Sequence, residues 1–210
     1  MRIEEKAGRQ SYHHGDLRHA LLEAGEKELA ERGIEGFTLR GCAKRAGVSH
    51  AAPAHHFRDA NGLLTALAAV GFERFLSFQK ARQAKASPDA RSQLLAAGLG
   101  YVDFALAHPE LFRLMFASKR ADFRSEELSR NADAAFDYLV QGVEAIRGRD
   151  PYRDDPAMRE VMATWAIAHG LADLMLSGRM KPLATMPPAM REEALTEIIG
   201  RAFPHRPDDR

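Results

Sequence analysis

Residues Thr38 to Phe57, TLRGCAKRAGVSHAAPAHHF, constrain this chain more than any other stretch. Leu39, Cys42, Ala43 and Ala46 recur at i, i+3, i+4 and i+7. That spacing lays one apolar stripe along a helix and leaves Arg40, Lys44 and Arg45 outside it. Thr38 suits the N-cap, because its hydroxyl accepts a bond from an otherwise orphan N–H. Gly47 suits the end, since glycine takes the left-handed conformation that closes a helix. Val48 then plugs the angle to a second helix, capped by Ser49 and running to about Phe57. A joint of about three or four residues including a glycine has the length of a helix-turn-helix connection. In that motif the second helix lies in the DNA major groove and turns its N-terminal residues to base edges.

His50, Ala51 and Ala52 occupy the first turn of that second helix. A histidine donates or accepts at a base edge, and alanine methyls pack on thymine methyls. Pro53 stands early enough that only one intrahelical bond is lost. Upstream, Leu17, Leu21, Ala24 and Leu29 mark the buried face of a first helix that starts at Asp16 and ends at Gly33. Leu21, Leu29, Ile34, Phe37, Leu39, Val48 and Phe57 would form the core of a three-helix head. Met1 to Gln10 reads as a solvated arm. His13 and His14 are adjacent, but no further Cys or His at ligand spacing completes a metal site; they read as ordinary side chains of an irregular segment, with a contact to phosphate as the alternative.

The pattern resembles a known family. Gly33-Ile34-Glu35-Gly36-Phe37-Thr38-Leu39-Arg40, then Ala46-Gly47-Val48-Ser49, then His55-His56-Phe57 is similar to the N-terminal domain of TetR-family transcriptional regulators. Tyr12-His13-His14-Gly15-Asp16-Leu17-Arg18 strengthens the likeness. So do His108-Pro109-Glu110-Leu111-Phe112 and Trp165-Ala166-Ile167-Ala168-His169-Gly170, which resemble a subgroup with a Trp-x-x-x-His-Gly signature in its C-terminal domain. The resemblance implies that one of His55 and His56 lies near bases and the other near phosphate; packing beside Phe57 is the alternative for both. Two positions depart from the family. A tyrosine that reaches phosphate is commonly found where this chain has Ala54, and a lysine where it has Ala60. Arg40, Lys44 or Arg58 would then have to supply phosphate contacts, which carry most non-specific affinity. Thr38 and Ser49 complete the expected DNA-facing set.

A formal net charge of +1, with a head that is itself near balance, leaves no basic carpet for DNA. Binding must come from a few placed cations, which disfavours an architectural DNA binder. One cysteine permits no intrachain disulfide and fits a reducing cytoplasm. Cys42 falls on the apolar stripe and reads as inert. No apolar run approaches the length of a membrane span, and no signal-peptide pattern is present.

Beyond the head, helical periodicity covers Leu63 to Gln83, Ala90 to Ala107, Glu110 to Ala117, Glu126 to Arg147, Pro156 to Ser177 and Met190 to Phe203. Arg120 to Ser125, Gly148 to Asp155 and the proline-rich Gly178 to Pro188 read as loops, and His205 to Arg210 as a tail. Nothing reads as a strand. The expected fold is all-α, with about nine helices: a helix-turn-helix domain over residues 1–62, then a helical ligand-binding and dimerisation domain over 63–210.

Tyr101, Phe104, Phe112, Met115, Phe116, Phe136, Trp165 and His169 concentrate large side chains in that second unit. Core packing accounts for any one of them; together they suit a mostly apolar cavity, with Tyr101 and His169 as its polar members. Ala168, Ala172, Leu176, Leu195, Ile198 and Ile199 on the last two helices suit a four-helix contact with a second chain. The resemblance implies the same homodimer, whose paired recognition helices would read a palindrome. No phosphate loop, His-Glu-x-x-His or serine elbow points to an enzyme, and no cofactor or metal is called for. The expectation is a ligand-released repressor, with activation left open. The alternative is a helical adaptor or ligand-binding protein that has lost DNA binding.

Overall fold

The computed structural model describes residues 14–201, with side chains from Leu17 onward. The N-terminal arm, His13 and the tail lie outside the described residues. Every regular element among those described is a helix, and there are ten. The helices are α1 (His14–Arg32), α2 (Leu39–Ala46), α3 (Ala52–Phe57), α4 (Ala60–Gln83) and α5 (Ala90–Ala107). They continue with α6 (Pro109–Phe116), α7 (Glu126–Arg147), α8 (Asp155–Leu176), α9 (Lys181–Thr185) and α10 (Pro188–Gly200).

Local chemistry sets most of these limits. Thr38 Oγ1 accepts from the Gly41 amide at 3.0 Å and so caps α2. Gly47 closes the helix at φ 68°, in the left-handed region where a side chain would be strained. Asp59, Asp89 and Asp154 cap α4, α5 and α8 in the same way, each accepting from the amide three residues on. α1 begins at His14, so Asp16 lies inside the helix instead of starting it. The segment from Gly178 to Pro188 is not all loop: Pro182 sits in the first turn of α9, where its missing N–H costs nothing.

One apolar cluster runs without a break from the head into the body. It joins Leu21, Leu29, Phe37 and Phe57 to Leu63, Phe72, Phe104 and Leu128. Ile34, Leu39 and Val48 are half-buried against it. A second cluster, centred on Val102, Val143, Val161 and Ile199, ties α5, α7, α8 and α10 together. The long α4 belongs to both the head and the body.

α4 and α5 approach closely at Gly100. A Cβ there would stand 2.6 Å from Gln79 Cα and 2.7 Å from the Phe78 carbonyl oxygen, both backbone atoms that cannot turn aside. Gly98, one turn-fraction away, faces Ile199 of α10 instead. Gly100→Ala is expected to force the helices apart and lower stability by about 1–3 kcal/mol, as overpacking does. Urea unfolding of the variant against the parent measures this; an unchanged midpoint would show that the contact is looser than it stands.

Candidate DNA-reading face and internal cavity

The helix-turn-helix is present, but its second helix is shorter than the sequence suggests. α3 starts at Ala52 and holds six residues, with Pro53 in its first turn. Ser49 therefore does not cap it by its side chain; its carbonyl accepts from the Ala52 amide at 3.0 Å instead. Ser49, His50 and Ala51 form the exposed turn that leads into α3. Ala52 is half-buried, His55 is exposed, and His56 is half-buried with its ring 6.2 Å from that of Phe57. Arg58 follows at φ 66°, a strained position for a residue with a side chain, and its N–H donates a hydrogen bond to the Ala54 carbonyl at 3.0 Å.

Cations around this face fall into two groups. Arg45 is committed: its Nε donates to Glu28 at 2.6 Å and its Nη1 to Glu31 at 2.9 Å. Glu28 is buried, and the Thr38 hydroxyl lies 3.5 Å from it, so this carboxylate pins α2 to α1. Arg18 is committed too, to Glu127 at 3.0 Å and over the Phe57 ring at 5.7 Å. By contrast, Arg40, Lys44 and Arg58 are exposed and make no ion pair among the described residues. Ala54 is exposed on α3 and Ala60 is half-buried at the start of α4, so neither replaces the missing anchors.

The segment between α6 and α7 binds the head to the body. Arg120 donates through Nε to Asn61 Oδ1 at 3.0 Å and through Nη1 to the Ile34 carbonyl. Asp122 N donates to Thr65 Oγ1 at 3.0 Å. Arg74 pairs with Glu26, and His108 stands 3.7 Å from the same carboxylate. Burial and the Arg74 charge both hold His108 below the usual imidazole range.

In the body a cavity of about 640 Å³ opens between α4, α5, α7 and α8. Tyr101, Met115, Phe116, Phe136, Trp165 and His169 line it, as the sequence suggests. Phe104 and Phe112 do not. Phe104 is fully buried against Phe75 and Phe78, and Phe112 lies behind the wall with its ring stacked 5.3 Å from that of His169. Phe72, Phe75, Gln79 and Phe123 line the cavity and are additions that aromatic counting along the later helices missed. Tyr101 Oη lies 2.8 Å from His169 Nδ1. Burial pushes the Tyr101 phenol up and the His169 imidazole down, so both are neutral at neutral pH. The pair shares one hydrogen and has one left to offer.

The expected dimer residues are mostly turned inward. Ala168, Ala172, Leu195 and Ile199 are buried within the chain, while Leu176 and Ile198 are half-buried against its own core. The small residues on α8 do permit close approach, but to neighbouring helices of the same chain. Its outward side carries a different stripe, Ala163, Ile167, Gly170 and Leu174, exposed or half-exposed and without charge. Cys42 is buried, and its thiol is pushed up to about 12 by that burial and then by the Glu28 charge, as expected of an inert packing residue. No cluster of potential metal ligands occurs among the described residues, and no helix described is long and apolar enough to cross a membrane.

An all-α body that carries a helix-turn-helix head and encloses a cavity defines a class of DNA-binding regulators, and comparison with known proteins identifies it. Residues 21–67 match the model described as bacterial regulatory proteins, tetR family, and residues 94–200 match the tetracyclin repressor-like C-terminal domain. The chain belongs to the TetR family of transcriptional regulators, which are not enzymes. Among solved structures, a protein with unknown function from Rhodococcus sp. RHA1 is similar at 34% identity and TM-score 0.75, over 94% of this chain and 100% of that one. A TetR family transcription regulator from Marinobacter aquaeolei VT8 shares the fold at 21% identity and TM-score 0.61, over 89% and 94% of the two chains. A TetR-like transcriptional regulator from Rhodococcus sp. RHA1 does so at 15% and 0.61, over 90% and 97%. Comparison with the curated proteins finds no match.

Proposed function

We propose that this regulator is a homodimeric repressor that leaves a palindromic operator when a small molecule fills the cavity. The observation that carries the DNA reading is the exposed face at the helix-turn-helix. There Arg40, Lys44 and Arg58, unpaired among the described residues, flank His50 and His55. We assign base contact to His50, Ala51, Ala52 and His55, and backbone contact to Thr38, Arg40, Lys44, Ser49, His56 and Arg58. The head is taken as residues 1–62 and the effector-binding and dimerising body as 63–210.

Dimerisation runs through the outward stripe of α8, Ala163, Ile167, Gly170 and Leu174, with α10 packed beside it. Ala163 and Gly170, two turns apart on this stripe, are small enough to let two helices close together, with Ile167 and Leu174 packing around them. The two-fold axis would set the recognition elements about 34–36 Å apart, one turn of DNA. Residence in the cytoplasm follows from the work of a transcriptional regulator.

Fluorescence anisotropy against DNA from upstream of its own gene, and against scrambled DNA, at two salt concentrations tests the proposal. Tight binding to the first alone, weakening with salt, is expected. His50→Ala should cost about 1–3 kcal/mol and relax sequence preference, whereas Ala54→Tyr should raise affinity for both DNAs by supplying a phosphate contact. Equal binding to both duplexes by a folded dimer would favour instead a ligand-binding helical protein without operator function.

A further inference from the structure

Resting on the reading of the cavity as the effector site, we infer that the effector is an uncharged, ring-bearing molecule whose adjacent hydrogen-bond donor and acceptor pair with the Gln79 carboxamide. Two observations carry this. The first is charge: no Asp, Glu, Lys or Arg lines the cavity. An ion drawn inside would lose its water and meet no counter-charge, which burial penalises heavily.

The second is Gln79 itself. It is 7% exposed, so more than nine-tenths buried, and it lines the cavity. Among the described residues its carboxamide makes no hydrogen bond. No fully enclosed side-chain nitrogen or oxygen among them lacks a partner, so its polar atoms keep some access, and the side chain lines the cavity. The other polar wall groups are already engaged. Gln83 donates to the Gln93 carbonyl at 3.1 Å and accepts from Tyr138 Oη. Ser118 Oγ accepts from the Arg120 amide at 3.1 Å. A buried carboxamide offers one acceptor and two donors, and a primary or secondary amide, lactam or urea answers it with both kinds of group. The hydrogen-bonded Tyr101–His169 pair, also in the wall, is a second polar point. The rest of the wall is aromatic, with Phe75 4.7 Å edge-to-face from Tyr101 and Trp165 5.9 Å from Phe136, and suits a flat apolar body. The volume of about 640 Å³ is that of a site for a drug-sized molecule.

Trp165 is the only tryptophan in the sequence and stands in the cavity wall, so its emission reads occupancy without DNA. Full-length protein is titrated with 4-phenylbutanamide, 4-phenylbutanoate, 4-phenylbutylammonium and butylbenzene. The amide is expected to bind at least ~10-fold more tightly than either charged analogue, since a hydrogen-bonding site rejects poor matches. Gln79→Leu, with Gln79→Met as a second variant of similar volume, should weaken the amide by about 10-fold and leave butylbenzene unchanged. Equal or tighter binding of the anion or the cation overturns the inference, as does an amide affinity indifferent to both variants. Failure of all four probes to perturb Trp165 overturns the cavity reading beneath it as well. Amide preference without any effect on DNA affinity would support the inference and count against ligand release of the repressor.

Discussion

Phe104→Ala is expected to lower stability by about 3–5 kcal/mol, the range for truncating a fully buried phenylalanine. The side chain is fully buried on α5, where α4 and α6 meet it. Its ring lies 5.5 Å from that of Phe75, 5.7 Å from that of Phe78 and 5.5 Å from that of His108. Truncation removes the transfer free energy of the ring and leaves a void that edge-packed Phe75 and Phe78 and the tilted His108 cannot fill without abandoning their own contacts. Typical domains have about 5–15 kcal/mol to lose, so the variant should stand close to unfolding at 37 °C. Met190→Ala, at an apolar side chain 56% exposed, should change stability by less than about 0.5 kcal/mol. Urea denaturation of both variants checks the pair, and a Phe104 cost below about 1 kcal/mol would contradict the packing described.

Arg120→Ala is expected to separate effector binding from DNA release. The segment that carries Arg120 has one side in each place. Ser118 and Phe123 belong to the cavity wall, with the Phe123 ring 6.3 Å edge-on from that of Phe72. Arg120 itself grips the Ile34 carbonyl, between α1 and α2, and Asn61 in the first turn of α4. On the proposed reading, a guest that shifted Phe123 or Ser118 would pull on the backbone that sets the angle of the helix-turn-helix. Coupling of this kind is worth about 1–3 kcal/mol, or roughly 5–150-fold in DNA affinity. Without the guanidinium, the ratio of DNA affinities with and without effector should fall toward unity, while Trp165 still reports effector binding. Retention of the full ratio would place the coupling elsewhere, with α4, which lines the cavity and follows α3 directly, as the other route.

Much of the fold is legible in the sequence because its boundaries are chemical. The limits of α5 and α7 fall where Asp89, the His108-Pro109 pair, Ser125 and Gly148 put them. Thr38 and Gly47 frame α2 for reasons readable from their side chains alone. α3 is harder. Ser49, a good cap by composition, lies three residues before the helix, because Ser49-His50-Ala51 turns first and Pro53 sits in the first helical turn. α9 hides among prolines that suggest a loop until one of them is recognised as a helix starter.

The cavity shows where periodicity stops being informative. It marks Phe104, Phe112 and Tyr101 as equally apolar-facing, but which of them borders empty space depends on helices far away in the chain. Ala168 and Ala172 signal close approach, and within this chain the helices they approach are its own. Two polar residues carry information that apolar periodicity does not use. Gln79 stands four residues after Phe75 on the buried face of α4, and Glu28 just before Leu29 on that of α1. A polar group on an apolar stripe needs a partner, and the structure supplies one for Glu28 and a cavity for Gln79.

The central claim is sequence-specific operator reading by a dimer, and selection from a pool of random duplexes by the full-length protein tests it most directly. Enrichment of a palindrome whose half-sites are centred about one helical turn apart is expected, with His50→Ala relaxing one position in each half. Enrichment of no sequence, or of a single unpaired half-site by a protein that remains monomeric, would contradict it.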